Sequence, residues 1–321
     1  MYLNKESEVR KKEPLFMSAL AFVLILASVV LHAGWHFISK SQRPPLAFFL
    51  LISFGGFCST LPFTLASGID LSALPGKFWL MVSLGAFCGV VCNTGLSFAY
   101  RLADVSLAYP LARALPVLLT AFVTECIYFS TGYGAPLGIA GIIGMIVIFA
   151  GCIIMPLNDF SSFRLSSYTR NRALPWILIA ALGTTGYTVF DKAGIDLMLK
   201  YGKASSVLTG SCAYSSIREM ILFFFLFGIV LTLPHERENL KFSMFGKWQG
   251  YVSGLFAAAA YVLVLLAMHW VTNVSYVQAF RQMSLPVGVF LGIVFLKEKT
   301  TAPKLAGLAL IVTGLVLAAF K

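Results

Sequence analysis

Five charged side chains stand inside stretches that are otherwise apolar: Arg113, Arg218, Arg281, Glu125 and Glu219. At the centre of a membrane-crossing helix such a charge costs about 2.5–3.5 kcal/mol on insertion scales, so it faces a bundle interior or a wet cavity and marks a candidate working site. Arg113 is followed by Pro116 and Arg281 by Pro286. Proline within a helix frees a backbone carbonyl one turn earlier, which a cavity-lining helix can offer to a ligand. Arginines so placed suit substrate contact or gating. The competing structural role is to pair with a carboxylate or a freed carbonyl and lock helices together. Arg218 and Glu219 are neighbours, and neighbours on a helix point about 100° apart, so each is expected to find its partner on another helix. Glu125 and Glu298 lie toward segment ends and read as interfacial or structural.

His32 and His36 are four apart and share one helix face. The pair could hold zinc, but no third ligand at a recognisable spacing and no His-Glu-x-x-His motif accompanies it, so no metal is expected. A polar pore-lining role with proton coupling fits imidazole, which titrates near neutral pH; ordinary packing is the alternative. Lys40 and Lys192 read as helix-end residues that snorkel to headgroups or form part of a gate, with Glu219 a further candidate for gating or coupling. Trp35, Tyr109 and Tyr187 add amphipathic rings, whereas Trp176 and Trp270 near segment ends fit an interfacial belt. With Gln278, the candidate substrate-binding set is Arg113, Arg281, Arg218, Trp35, His32, His36, Tyr109, Tyr187 and Gln278. Such a mix of apolar walls and a few placed polar groups suits a small zwitterion or organic anion. No catalytic constellation and no cofactor motif is evident, so no enzyme is expected. The six cysteines show no disulfide or metal spacing.

These residues must be positioned by membrane helices. Of 321 residues, 59% are hydrophobic and 12% charged, against about 45–50% and about 25% in soluble domains. Ten segments reach the roughly 20 apolar residues that cross a bilayer: 15–37, 45–67, 78–100, 105–129, 136–156, 174–195, 205–233, 249–270, 274–296 and 303–320. The first is too long for a signal-peptide core and reads as a retained helix. Prolines at Pro44-Pro45, Pro75, Pro136 and Pro303 mark helix starts. Glycines four apart, Gly85/Gly89, Gly246/Gly250/Gly254 and Gly288/Gly292, predict close helix packing.

The two halves of the chain repeat one another. Gly34-Trp35 with Lys40 recurs as Gly186-Tyr187 with Lys192, a shift of 152; Val105-Ser106 with Arg113 recurs as Val274-Ser275 with Arg281, a shift of 169 at the paired Val-Ser; Gly144 and Gly151 recur as Gly307 and Gly314, a shift of 163. A repeat with an odd number of spans lies inverted relative to its partner, an arrangement typical of secondary transporters with a site at the repeat interface. The expected fold is an all-α polytopic membrane protein of ten transmembrane helices in two inverted five-helix repeats. Its parts are a tail at 1–14, the first repeat at 15–156, a connecting loop at 157–173 and the second repeat at 174–320.

His32-Ala33-Gly34-Trp35 with Lys40, and the stretch from Arg281 to Glu298 followed by Leu305-Ala306-Gly307 and Gly314, resemble EamA-type members of the drug/metabolite transporter superfamily. The resemblance covers about residues 15 to 320, with His36 where these proteins commonly have Asn. It implies both termini in the cytoplasm, a bacterial inner-membrane location and a path between the halves beside Arg113 and Arg281. It also implies export of small polar metabolites such as amino acids or their derivatives. Charge bias does not set the orientation: loops on the N-terminal side collect nine Lys and Arg and those on the other side twelve.

No Walker A sequence occurs, so a gradient would supply the energy for alternating access. The alternative substrate is an organic anion (carboxylate, phosphonate, sugar phosphate or nucleotide sugar), because three intramembrane arginines outnumber the two acids singled out with them. Expected partners are the small-molecule substrate, a proton or counter-substrate, membrane lipids and a second copy in a homodimer. The +11 formal charge reads as headgroup contact rather than nucleic-acid binding.

Overall fold

The computed structural model describes residues 18–40, 45–102, 105–157, 159–162, 172–287, 289 and 300–319. Glu298, Gly288 and Gly292 lie outside them, as do the side chains of His36, Lys40 and Tyr109. The described residues form helices α1 (Ala19–Lys40), α2 (Leu46–Leu65), α3 (Gly76–Leu102), α4 (Val105–Thr131), α5 (Ile139–Ile154), α6 (Leu174–Tyr201) and α7 (Val207–Thr232), followed by α8 (Trp248–His269), α9 (Val274–Phe280) and α10 (Ala302–Ala319). Two one-turn helices, Pro234–Arg237 and Phe242–Phe245, bridge α7 and α8. Among the described residues six helices have the length and composition to cross a membrane, namely α2, the Gly76–Ala99 part of α3, the Leu111–Thr131 part of α4, α7, α8 and α10; Ala19–Trp35 and α5 are shorter apolar helices. Ile139, Ile143 and Ile146 on α5 and Phe224 on α7 point outward, an apolar exterior suited to lipid. The chain is an integral membrane protein.

Local chemistry sets the helix ends. Ser206 and Thr209 form a capping box at the start of α7, Ser206 Oγ accepting from Thr209 N at 3.1 Å and Thr209 Oγ1 from Ser206 N at 3.0 Å, which satisfies two otherwise orphaned N–H groups. Asn273 caps α9 by accepting from Ser275 N at 2.9 Å. Gly132 and Gly134, at φ 70° and 93°, turn the chain between α4 and α5 in a region costly for other residues.

Contacts between distant connections sort the helix ends into two faces. Asp70 N donates to Gly202 O at 3.1 Å and Ser18 N to Trp270 O at 3.4 Å, and Asn273 Nδ2 donates to Ala135 O at 2.8 Å. These define the Asp70 face. At the opposite Glu236 face, Glu236 accepts from Arg101 and from Ala47 N at 3.3 Å, and Thr301 Oγ1 donates to Leu157 O at 3.3 Å.

Close approach depends on glycine. A Cβ added at Gly144 would meet Gly314 O at 2.5 Å, and one at Gly314 would meet Gly144 O at 2.6 Å; Gly151 and Gly307 meet each other's carbonyls in the same reciprocal way, at 2.7 Å each. Helices α5 and α10 therefore touch backbone to backbone. Gly250 and Gly254 likewise sit against α2, facing Leu51 and the Ile52 carbonyl. Gly246 does not extend that stripe: it caps the Phe242–Phe245 turn before α8 begins.

Several predicted bounds shift. The segment expected over 136–156 is helical only over Ile139–Ile154, and the one over 174–195 runs on to Tyr201. Lys192 is consequently not a helix-end residue. Its ammonium pairs with Asp196 one turn on, at 2.6 Å, so the helix crosses the predicted boundary. Helix α9 tightens into a 3-10 turn at Arg281–Met283, and helical backbone resumes at 284–287.

Candidate solute-binding site

A cavity of about 140 Å³ lies among the helices and is lined by His32 and Trp35 of α1, Arg113 of α4, Tyr187 of α6, Arg218 and Glu219 of α7, Tyr261 of α8 and Arg281 beyond α9. Seven of the sequence-predicted residues thus meet around one space: His32, Trp35, Arg113, Tyr187, Arg218, Glu219 and Arg281. Gln278 is buried nearby and does not line it. Lys192 lines a second cavity of about 400 Å³ at the Asp70 face, with Tyr133, Asp196, Thr124 and Asn273.

On one side of the central cavity stands a buried ion cluster. Arg218 Nε donates to Asp191 Oδ2 at 2.7 Å, and its Nη1 donates to Glu219 Oε1 at 2.9 Å. Asp191 is fully buried and also accepts from Tyr214 OH at 2.7 Å and from Tyr261 OH. The guanidinium carbon lies 4.7 Å from the Tyr261 ring centroid and 5.3 Å from that of Tyr187, within cation–π range. Room for this cluster comes from α3: a Cβ on Gly85 would collide with Asp191 Oδ1, and one on Gly89 would lie 2.9 Å from Arg218 Nη2.

The expectation that Arg218 and Glu219 do not pair is overturned. Adjacent Cβ directions diverge, but both side chains are long enough to curve back into contact. Each also has a partner on another helix, Asp191 for Arg218 and Ser53 for Glu219. Sequence reasoning missed Asp191. The signal was available: it is an acid within the sixth apolar segment, flagged by the same insertion cost as Glu219.

A second polar assembly joins α4 to α9. Arg113 Nη2 donates to Arg281 O at 2.7 Å and to Ser284 Oγ at 2.8 Å, and Nη1 lies 3.0 Å from His32 Nε2. Trp35 Nε1 donates to His32 Nδ1 at 2.9 Å. Farther along the seam, Gln282 Nε2 donates to Arg113 O at 3.1 Å and Thr124 Oγ1 lies 2.8 Å from Ser275 Oγ. Between these points the side chains of Thr120 and Gln278 are buried with no hydrogen bond to a described residue.

Other predicted residues have local roles. Glu125 accepts from Leu137 N at 2.7 Å and ties α4 to the approach to α5. Trp176 stacks on Phe98 with ring centroids 4.4 Å apart. At the Asp70 face, the ammonium of Lys203 and the hydroxyl of Ser72 hold the Asp70 carboxyl down at about 2. Among the described residues no three His, Cys, Asp or Glu side chains converge as a metal site would require.

An apolar-surfaced helical bundle around a cavity lined by aromatic, apolar and a few charged side chains defines an integral membrane protein with an internal cavity. The chain belongs to the family described as Sugar transport protein, an EamA-related family of transporters, whose model matches residues 52–320. The match is to this family rather than to the EamA-type proteins that the sequence resembles. No curated protein matches the chain. Among the solved structures that it matches, a crystal structure shares its fold with 16% identity, a TM-score of 0.64 and coverage of 93% of this chain and 96% of that one.

Proposed function

We propose that this chain is a secondary transporter of a small hydroxyl-rich solute, a sugar or sugar derivative, carried by alternating access of the central cavity between two inverted five-helix halves. The observation that carries this reading is the cavity lining. Trp35, Tyr187 and Tyr261 offer ring faces and edges, while Arg113, Glu219, Arg281 and Asn93 offer hydrogen-bonding groups beside them. A sugar has both complements, apolar C–H faces that lie on aromatic rings and hydroxyls that donate and accept. The cavity is small beside the roughly 300–1,000 Å³ of drug-sized sites, which favours a compact solute. The family's description points the same way.

The reciprocal contacts of Gly144 with Gly314 and Gly151 with Gly307 support the inverted-repeat part of the reading. A two-fold axis that exchanges Gly144 with Gly307 and Gly151 with Gly314 turns one contact into the other. The α4/α9 seam supports the access part. Arg113 and Arg281 line the central cavity, whereas Thr124 and Val274 line the cavity at the Asp70 face, so the seam connects the two spaces. Thr120 and Gln278 lie along it. Buried polar groups without partners cost about 1–3 kcal/mol each, and parting of the seam would hydrate them. Cytoplasmic termini and a bacterial inner-membrane location go with this reading.

Counterflow in proteoliposomes tests it. Preloaded neutral sugars, sugar acids, sugar phosphates and amino acids are each exchanged against the labelled compound, with vesicle orientation set by protease access. Trans-stimulated uptake of a sugar or sugar derivative is expected, and the orientation assay gives direction. Exchange confined to amino acids returns the substrate to the class implied by the EamA resemblance.

A further inference from the structure

We infer that the cavity at the Asp70 face is a second solute site, in series with the central one, where the Lys192–Asp196 pair and the Tyr133 hydroxyl receive the hydroxyls of a neutral sugar. This rests on the transport reading above and adds a resting place outside the central cavity.

The space is separate and roomy. It holds about 400 Å³ against about 140 Å³ in the centre, and no described residue lines both. Part of its wall is apolar, supplied by Ile127 of α4, Val189 of α6, Val271 and Val274. The charged groups of the lining form one triad. Lys192 Nζ donates to Asp196 Oδ1 at 2.6 Å and to Oδ2 at 2.7 Å, and Tyr133 OH donates to Asp196 Oδ2 at 2.9 Å. Tyr133 comes from the turn between α4 and α5, while Lys192 and Asp196 stand one turn apart on α6, so the triad joins the two halves of the chain. It is open to a solute from that face: Tyr133 is 49% exposed and the Asp196 side chain 38%.

Valence says what the triad can still take. A carboxylate offers about four lone-pair places and an ammonium three donors. Among the described residues Lys192 bonds only to this carboxylate, whose Oδ1 accepts once. The Tyr133 oxygen gives its proton to Asp196 and can still accept. An acceptor on Asp196, a donor on Lys192 and an acceptor on Tyr133 are therefore left side by side. A hydroxyl both donates and accepts, so neighbouring hydroxyls of a sugar match them, with C–H faces toward the valines. The charges of Lys192 and Asp196 cancel. An ionic solute would have to part this pair to gain a partner, whereas a hydroxyl adds to it.

Position puts this site next along the solute path. Thr124 and Val274 line the cavity, and Thr124 faces Ser275 across the α4/α9 seam. The central cavity lies farther along that seam, at Arg113 and Arg281.

The test uses the full chain in nanodiscs, its six native cysteines replaced, with one thiol per protein. Ile127→Cys reports on the outer cavity and Ala257→Cys on the central one. Maleimide labelling is timed against rising glucose, xylose, glucosamine and glucose 6-phosphate. Glucose or xylose is expected to slow labelling at both thiols, each with its own half-protecting concentration. Asp196→Asn should raise that concentration at Ile127→Cys about tenfold, the scale of one charge-assisted hydrogen bond, and Tyr133→Phe about threefold. Neither should move it at Ala257→Cys by more than about twofold. Tyr133→Phe removes one oxygen from a half-exposed ring and carries the test should Asp196→Asn fail to fold. Protection at Ala257→Cys alone overturns the outer site and leaves sugar transport standing. Protection at Ile127→Cys alone keeps the outer site and overturns the central one. Protection at neither overturns both. Coincident half-protecting concentrations that shift together would make the outer effect a consequence of central binding, and overturn the inference. So would outer protection that survives both substitutions, or that is stronger with glucosamine or glucose 6-phosphate than with either neutral sugar.

Discussion

Gln282 reaches across the α4/α9 seam to Arg113, donating to its carbonyl at 3.1 Å, while the Arg113 guanidinium donates to the carbonyl of Arg281, the residue before Gln282, at 2.7 Å. The shift of 169 that carries Val105 onto Val274 carries Arg113 onto Gln282 rather than Arg281. Under the proposed inverted repeat, two matching positions thus each send a side chain to the backbone of the facing helix. Each bond also secures a carbonyl beside the place where α9 tightens into its 3-10 turn.

Removing the Gln282 bond should cost stability without removing charge. Gln282→Ala leaves the Arg113 carbonyl without that donor, and a net intramolecular hydrogen bond is worth about 0.5–1.5 kcal/mol. The expected outcome is a lower unfolding midpoint in detergent by about that free energy, with monodisperse protein retained. An unchanged midpoint would mean that the seam is held by apolar packing alone.

The Asp191–Arg218 pair predicts a larger effect with a distinctive non-additivity. Asp191→Asn strips a fully buried carboxylate from a guanidinium whose side chain is 6% exposed. Breaking a buried pair from one side typically costs about 3–5 kcal/mol, whereas replacing both partners by apolar residues of similar size is often neutral. Asp191→Leu with Arg218→Met should therefore unfold at a higher temperature than Asp191→Asn alone, read by fluorescence-detected size exclusion. Additive losses would show that the pair is not a coupled unit.

The cost of charge in lipid makes much of this cavity legible in the sequence. Arg113, Arg218, Arg281 and Glu219 were singled out by that cost alone, and Trp35 and Tyr187 by the repeat; all six meet in one space. Asp191 escaped notice because it lies beside Lys192, near what hydropathy marks as a helix end, while α6 continues for ten more residues to Tyr201. The i to i+4 pairing of Lys192 with Asp196 is what lets polar residues extend that helix. Gln282 and Ser284 were illegible for a different reason. Uncharged polar residues in an apolar segment do not reveal which helix they face, and only the seam register gives them partners.

Glycine spacing alone likewise says where helices touch and not what they enclose. Gly85 and Gly89 fit a packing stripe, yet in the fold they face Asp191 and Arg218. Gly85→Ala should displace the Asp191 carboxylate and lower the unfolding midpoint as strongly as Asp191→Asn. Gly228→Ala on α7 meets nothing within 4 Å and should be neutral or mildly stabilising, since alanine is the better helix former by about 1 kcal/mol. Equal effects of the two substitutions would reduce Gly85 to a generic helix position.

Acid should loosen one latch at the Asp70 face. Lys203 donates to Asp70 at 2.8 Å, and the Asp70 carboxyl is held at about 2 instead of its ordinary 3.8. A depressed acid contributes stability that is present above its unfolded value and is lost as pH falls toward the folded one. Amide exchange at residues 70–73 should therefore quicken as pH falls from about 3.8 to about 2, beyond the intrinsic exchange trend. Lys203→Gly should reduce that excess, leaving the part due to Ser72, with little backbone cost, because Lys203 sits at φ 54°, where glycine is at ease. The same excess in the variant would assign the acid sensitivity to another carboxylate.

If the seam is the closed half of the solute path, fastening it should arrest transport and leave binding intact. Thr124 and Ser275 face each other across it with oxygens 2.8 Å apart, on the wall nearest the second cavity. Thr124→Cys with Ser275→Cys, in a background lacking the six native cysteines, places two thiols there. Oxidation should stop counterflow while equilibrium binding at the central cavity persists, and reductant should restore exchange. Each single-cysteine variant controls for chemistry at one thiol. A cross-linked protein that still exchanges solute at the reduced rate or faster would require a route that does not part α4 from α9. Arg113, held at the other end of the same seam, would then be a fastening and not part of a moving wall.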